Sequence, residues 1–126
     1  MADVPITIAC GNYDRTKAII DGRVKVEGCD INYLPLYPEE IFHRLFKFQE
    51  FDVAEMSFSS YIRTVAAGTS EYIGIPAFVS RLFRHSGIYV RAGAGIEKPE
   101  DLRGKRIGLP EYQITAVVWM RGMLQH

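Results

Sequence analysis

The sequence predicts an α/β fold in which a mostly parallel sheet is flanked by helices. Short apolar segments with strand character alternate with segments whose apolar residues recur at helical spacing, and the connections are short. A second observation is the stretch 98–110, where a polar turn leads into a short apolar strand that ends at Pro110, before a helix. In such folds ligands bind at the carboxyl ends of the strands, where functional residues are therefore expected.

The first strand and the first helix are predicted within residues 6–24. Ile6 to Ala9 is a short apolar run that ends in a polar loop, 10–15, which is typical of a buried strand. Residues 16–24 place their apolar side chains on one helical face, and Asp21-Gly22 weakens the end of this helix.

The second strand is predicted at 31–36, and the second helix begins at Pro38. Proline in the first turn, followed by Glu39 and Glu40, matches the preference of helix N-termini for proline and for acids. The apolar residues that follow recur at helical spacing and are expected in the core. They are Ile41, Phe42, Leu45 and Phe46.

The remaining elements are separated by polar or glycine-containing turns. Residues Ser57 to Ser60 would cap a third helix, and Gly68 would end it. Predicted elements in this part are strand 51–56, helix 61–67, strands 72–77 and 87–91, and helix 116–120.

Residues 92–95, Ala-Gly-Ala-Gly, are the most linker-like stretch of the chain. The sequence therefore predicts a first α/β lobe at 1–92, which lacks a C-terminal return, and a crossing with the start of a second lobe at 93–126. Without that return, apolar surface would stay exposed, so we expect a homo-oligomer.

Composition limits the function classes. Of the 126 residues, 48% are hydrophobic, which is enough for a core, and the formal net charge is zero, which argues against a nucleic-acid binder. The N-terminus shows no signal-peptide pattern, and no apolar run is long enough for a membrane helix, so a cytoplasmic protein without a membrane partner is expected. Cys10 and Cys29 lie on neighbouring predicted elements and could pair, but two buried reduced thiols are favoured because nothing else indicates export.

Four segments resemble the 4,5-dihydroxyphthalate decarboxylase family, and the phrase PEDLRGKRIG at 99–108 is similar to sequences across the type II periplasmic-binding-protein-like superfamily. The resemblance implies a two-lobed fold, of which this chain would be an N-terminal fragment. It also implies decarboxylation of 4,5-dihydroxyphthalate to 3,4-dihydroxybenzoate in phthalate breakdown. The four segments are ACGNYDRT at 9–16, FDVAEMSFSSY at 51–61, SRLFRHSGIYV at 80–90 and GLPEYQITAVVWMRGML at 108–124.

A second function class stays open at this point. Solute-binding proteins share the two-lobed fold, so the chain could belong to a protein that binds a small aromatic or heterocyclic carboxylic acid without catalysis. The absence of an export signal favours the enzyme.

A small aromatic carboxylate needs cations and helix N-termini for its carboxylates, and polar groups for its phenols. Such residues follow the predicted strands or open the last helix. The serines and the threonine could equally cap helices, and Arg15 could be a solvated surface residue. The substrate-binding candidates are Tyr13, Arg15, Ser57, Ser59, Arg81, Arg84, Tyr112, Gln113 and Thr115.

Protonation of the ring carbon that carries the departing carboxylate requires an acid, and the phenol para to it requires a proton acceptor. His85 is the expected donor, because imidazole titrates near neutrality and the nearby Arg81 and Arg84 would favour its neutral form. Asp14 or Glu55 is the expected acceptor. The reaction demands no cofactor, and no close set of His, Asp and Glu residues predicts a metal site.

Overall fold

A computed structural model of the protein describes residues 2–126. Strands and helices alternate in its first part, which confirms the predicted α/β class. The elements are β1 Val4–Cys10, α1 Lys17–Ile20, β2 Cys29–Pro35, α2 Pro38–Phe48, β3 Val53–Ala54, α3 Phe58–Ala66 and α4 Thr115–Gln125, with short 3-10 turns at Arg84–Ser86 and Pro99–Leu102.

The three strands form one parallel sheet in the order β2-β1-β3. In this register Ala9 of β1 lies between Leu34 of β2 and Ala54 of β3. A parallel pair needs a crossover connection, which the helical segments between the strands provide. The carboxyl ends of all three strands therefore meet at one edge of the sheet.

The core of the sheet is small and lies under α2. Ala9, Ile41, Leu45 and Phe51 are buried and pack together. Ile41 and Leu45 are one helical turn apart, so both face the sheet, as predicted. Phe42 is partly buried against this core, whereas Phe46 is 38% exposed and does not belong to it.

Most helices begin and end at residues whose type favours a helix start or a turn. Pro38 lies in the first turn of α2, as predicted. The first helix is shorter than the predicted 16–24, because the chain turns at Gly22, whose positive φ of 69° suits glycine. The last helix is longer than predicted and runs to Gln125.

Three predicted strands are not formed. The segments 72–77 and 87–91 and the short strand expected before Pro110 are irregular, and large apolar side chains in the first two point into solvent, with Ile73 94% and Tyr89 88% exposed. Apolar composition alone does not make a strand, because the backbone needs a neighbouring strand for its hydrogen bonds. Within residues 2–126, none of these segments is paired into the sheet.

The two cysteines are free thiols. Cys29 starts β2 opposite Val4, while Cys10 ends β1 opposite Pro35. These positions are six residue steps apart along the strands, which corresponds to about 20 Å, so a disulfide is excluded. Cys10 is buried as predicted, but Cys29 is only partly buried.

The described residues divide into two compact units. The first comprises the chain up to Ser57 together with Tyr72–Arg81, and the second comprises Phe58–Glu71 and Leu82–His126. The sheet with α1 and α2 belongs to the first, and α3 and α4 to the second. The predicted lobe boundary near residue 92 stays a prediction. The longest helices between residues 2 and 126 have 11 residues, and none could span a bilayer.

Candidate active site

The loop after β1 is held in place by a buried threonine. The Thr16 hydroxyl lies 3.2 Å from the Gly11 carbonyl and 3.1 Å from the Tyr13 carbonyl, and it accepts the Tyr13 N–H at 3.2 Å. A side-chain hydroxyl that bonds to the backbone three residues earlier stabilises a turn. The loop that leaves the central strand is therefore ordered at the carboxyl edge of the sheet.

Tyr13 and Glu55 form a phenol–carboxylate pair at this edge. The Tyr13 hydroxyl lies 2.9 Å from Oε2 and 3.1 Å from Oε1 of Glu55, which directly follows β3. Oε1 also accepts the Gly11 N–H at 2.8 Å. The sequence predicted both residues as site candidates, and the parallel pairing of β1 with β3 brings them together.

Electrostatics keep the phenols and the thiol of this region protonated. Burial, then the hydrogen bond to Glu55 and its negative charge, raise the pKa of Tyr13 to about 12. Burial likewise raises the pKa of Tyr33 to about 12, and its hydroxyl donates to the Gly11 carbonyl at 3.2 Å. Burial also raises the pKa of the Cys10 thiol, so this cysteine is not an activated nucleophile.

The other two candidates of the loop are exposed. The Arg15 guanidinium carbon lies 5.3 Å from the centroid of the Tyr13 ring, and the side chain donates to the Val79 carbonyl. Arg15 is thus anchored, and not only solvated. Asp14 is exposed in the turn. Of the two predicted proton acceptors, Glu55 is the one that contacts Tyr13.

In the second unit the N-termini of α3 and α4 are joined by hydrogen bonds. The Ser59 N–H donates to the Thr115 hydroxyl at 3.1 Å, and the Ser59 hydroxyl donates to the Gln113 carbonyl at 2.9 Å. Thr115 therefore serves the first turn of α3, because the capping position of its own helix is Ile114. Ser57, buried directly before α3, belongs to the first unit.

The polar residues before α4 also have partners in the second unit. Arg63 of α3 donates to Oε1 of Gln113 at 3.1 Å. Tyr112 is largely exposed, and the guanidinium carbon of Arg121 lies 3.8 Å from the centroid of its ring. The predicted group of Tyr112, Gln113 and Thr115 is thus linked to both helices.

His85 has aromatic neighbours. Its ring is stacked on Phe83 with a centroid distance of 4.7 Å and lies 6.1 Å from Trp119. The turn approaches α4 closely, because the Met120 methyl lies 2.5 Å from the point where a Cβ of Gly87 would be. The prediction that Arg81 and Arg84 set the environment of this ring stays a prediction. Arg84 is partly buried in the same turn, whereas Arg81 is exposed in the first unit.

Sequence reasoning missed Gly11, Thr16 and Tyr33. The spacing of Thr16, three residues after Tyr13, is a signal for a side-chain-stabilised turn and could have been used. Gly11 and Tyr33 give no such local signal, because their partners become visible only in the sheet. In the part of the chain from 2 to 126, no three His, Cys, Asp or Glu side chains lie close enough together to hold a metal ion.

Replacing Thr115 by valine is expected to lower the free energy of unfolding by about 1 kcal/mol, since the Ser59 N–H loses its acceptor. Thr115→Ser keeps the hydroxyl and should stay close to the parent. Chemical denaturation of the full-length protein measures both. An unchanged free energy of unfolding, combined with weaker binding of an aromatic acid by calorimetry, would instead assign the Thr115 hydroxyl to the ligand.

Two curated proteins are similar to this chain over nearly its whole length. A 4,5-dihydroxyphthalate decarboxylase from Comamonas testosteroni is 53% identical over 125 residues, which are 99% of this chain and 38% of that protein. The resemblance to the 4,5-dihydroxyphthalate decarboxylases is confirmed. A 4,5-dihydroxyphthalate decarboxylase from Pseudomonas putida is 50% identical over 125 residues, which are 99% of this chain and 48% of that protein. The chain thus spans less than half the length of these curated relatives, and no family model matches it.

Proposed function

We propose that the protein is a carbon–carbon lyase that converts 4,5-dihydroxyphthalate into 3,4-dihydroxybenzoate and CO2. Identity of 50% and 53% to two proteins of that name, over nearly the whole chain, supports the substrate. The observation that supports the chemistry is the Tyr13–Glu55 pair, in which a carboxylate accepts a hydrogen bond from a phenol at the carboxyl edge of a parallel sheet. Ligands bind at this edge in such folds.

The reaction needs a proton acceptor at a phenol. In 4,5-dihydroxyphthalate each carboxylate has a hydroxyl para to it. As that hydroxyl loses its proton, its oxygen feeds electrons into the ring, and the carbon bearing the carboxylate takes up a proton. The bond to the carboxyl carbon then breaks, CO2 leaves, and the electron pair restores the aromatic ring while the oxygen regains its proton.

In this proposal Glu55 accepts the phenol proton, directly or through Tyr13. A tyrosine whose pKa is raised to about 12 stays protonated at neutral pH, and its oxygen still has lone pairs to accept a hydrogen bond from the substrate. Tyr13 can therefore accept the proton of the substrate phenol while it passes its own hydroxyl proton to Glu55. Arg15, anchored on the same loop, is our candidate for binding a carboxylate.

In the second unit two assignments from the sequence stay proposals. His85 is the donor of the ring proton, and the helix start at Gln113–Thr115 binds a carboxylate. The support for the second is that Ile114 has no polar side chain to cap the first turn of α4, where the helix dipole favours an anion.

The finer fold assignment is also a proposal. The parallel sheet and the two compact units support the two-lobed, type II periplasmic-binding-protein-like architecture. Exposed apolar side chains, such as Ile73, Leu82 and Phe83, support self-association of the protein as a homo-oligomer. We propose a cytoplasmic enzyme that acts without a cofactor.

The test is to incubate the full-length protein with 4,5-dihydroxyphthalate, separate the products by chromatography and measure CO2 release. The expected result is 3,4-dihydroxybenzoate and CO2 in equal amounts. Calorimetry with the same compound runs in parallel. Binding without product would overturn the decarboxylase and favour a solute-binding protein for aromatic acids.

A further inference from the structure

Gly11, in the first unit, contacts both members of the Tyr13–Glu55 pair. Its N–H donates to Oε1 of Glu55 at 2.8 Å. Its carbonyl lies 3.2 Å from the Tyr33 hydroxyl and 3.2 Å from the Thr16 hydroxyl. The N–H and the carbonyl of this buried residue are therefore held by side chains from three separate parts of the chain.

The Cα of Gly11 lies against the ring of Tyr13. A Cβ at this position would lie 2.6 Å from Cζ and 2.8 Å from the hydroxyl oxygen of Tyr13. Both distances are shorter than carbon can tolerate, so the phenol occupies the space of the missing side chain. The φ angle of Gly11 is not in the left-handed region, so it is the Tyr13 ring that excludes a side chain.

We propose that Gly11 is a positioning residue for the reaction, because the absence of a Cβ lets the Tyr13 phenol lie over the loop and reach Glu55. The Gly11 carbonyl accepts hydrogen bonds from Thr16 and Tyr33. These bonds hold the loop where the Gly11 N–H can donate to the Glu55 carboxylate. This inference rests on the proposed function, since it concerns the phenol–carboxylate pair that we assign to proton transfer.

Gly11→Ala tests the proposal, because it pushes the phenol away from Glu55 while leaving both residues in the chain. Gly108→Ala is the matched control, since nothing lies within 4 Å of a Cβ there and the φ angle is not positive. Circular dichroism and thermal unfolding of both variants establish that they are folded.

The first readout does not depend on catalysis. Tyrosinate absorbance is followed on raising the pH, with Tyr13→Phe in each background to assign the Tyr13 phenol. In the parent background, Tyr13→Phe should leave the rise of tyrosinate absorbance below about pH 11 unchanged, since the Tyr13 pKa is about 12. In Gly11→Ala, one additional tyrosine should ionise below about pH 11, because the phenol becomes solvated and leaves the carboxylate. Gly108→Ala should titrate like the parent.

The second readout is turnover of 4,5-dihydroxyphthalate. Gly11→Ala should lower kcat by roughly tenfold to a hundredfold, the usual cost of misplacing a reacting group by about 1 Å. KM should change by less than about threefold. Combining Gly11→Ala with Tyr13→Phe should cost little more than Tyr13→Phe alone, because both changes remove the same phenol from Glu55.

The outcomes separate this inference from the proposed function. An unchanged Tyr13 titration in Gly11→Ala, or kcat losses that simply multiply in the double variant, would overturn the positioning role. If the titration shifts as expected but the parent forms no product, Gly11 still positions the Tyr13 phenol against Glu55, and the decarboxylase assignment fails. If Gly11→Ala does not fold, Tyr33→Phe removes one bond to the Gly11 carbonyl and should change both readouts in the same direction by a smaller amount. A Tyr33→Phe variant identical to the parent in both readouts would overturn the proposal in that case.

Discussion

Glu55→Gln is expected to lower the turnover of 4,5-dihydroxyphthalate by about two to four orders of magnitude, the usual contribution of a general base. Glutamine keeps the size of the side chain and can still accept a hydrogen bond from Tyr13 and from the Gly11 N–H. It cannot take up a proton at neutral pH. The loss should therefore appear in kcat, while the affinity for the substrate falls much less.

Steady-state kinetics of the full-length variant measure this effect, with binding determined by calorimetry. Glu27→Gln makes the same chemical change at an exposed turn position and should behave like the parent. Turnover of Glu55→Gln within tenfold of the parent would show that the phenol proton goes to another group, and Asp14 would be the next carboxylate to test.

His85→Asn is expected to retain substrate binding and to lower turnover by about two to four orders of magnitude, as befits the loss of a general acid. Asparagine can hydrogen-bond but cannot donate a proton near neutral pH. The contacts of the imidazole with Phe83 and Trp119 also indicate that this position could bind an aromatic ring by stacking. The two roles differ in the kinetic parameter that changes.

For the proton donor kcat falls, whereas for a stacking residue mainly KM rises. His43→Asn is the matched control, because His43 is exposed on α2 and its ring contacts Phe48. If His85→Asn keeps kcat within tenfold of the parent between about pH 6 and pH 9, the ring proton comes from another group.

Local signals in the sequence predicted the elements whose formation depends mainly on nearby residues. The proline and the two acids at the start of α2 indicated where that helix begins, and the spacing of Ile41 and Leu45 indicated its buried face. The short apolar runs of β1 and β2 were likewise recognised. The resemblance of four segments to one decarboxylase family was visible without any structure.

Strands that need a distant partner were not predictable in the same way. Segments 72–77 and 87–91 have strand-like composition, yet they are irregular and are not paired into the sheet of the described residues. The composition of a segment shows whether it is suited to a strand. A strand forms only when a second segment pairs with it in register.

The sequence by itself determined which chemical groups are present near the ends of the strands: a phenol, carboxylates, an arginine, serines and an imidazole. Only the tertiary structure decided which of them interact. Tyr13 and Glu55 are 42 positions apart, and Ser59 and Thr115 are 56 positions apart, yet each pair lies within hydrogen-bonding distance. A hydrogen bond requires about 3 Å between donor and acceptor, and over such separations along the chain only the packing of strands and helices sets that distance.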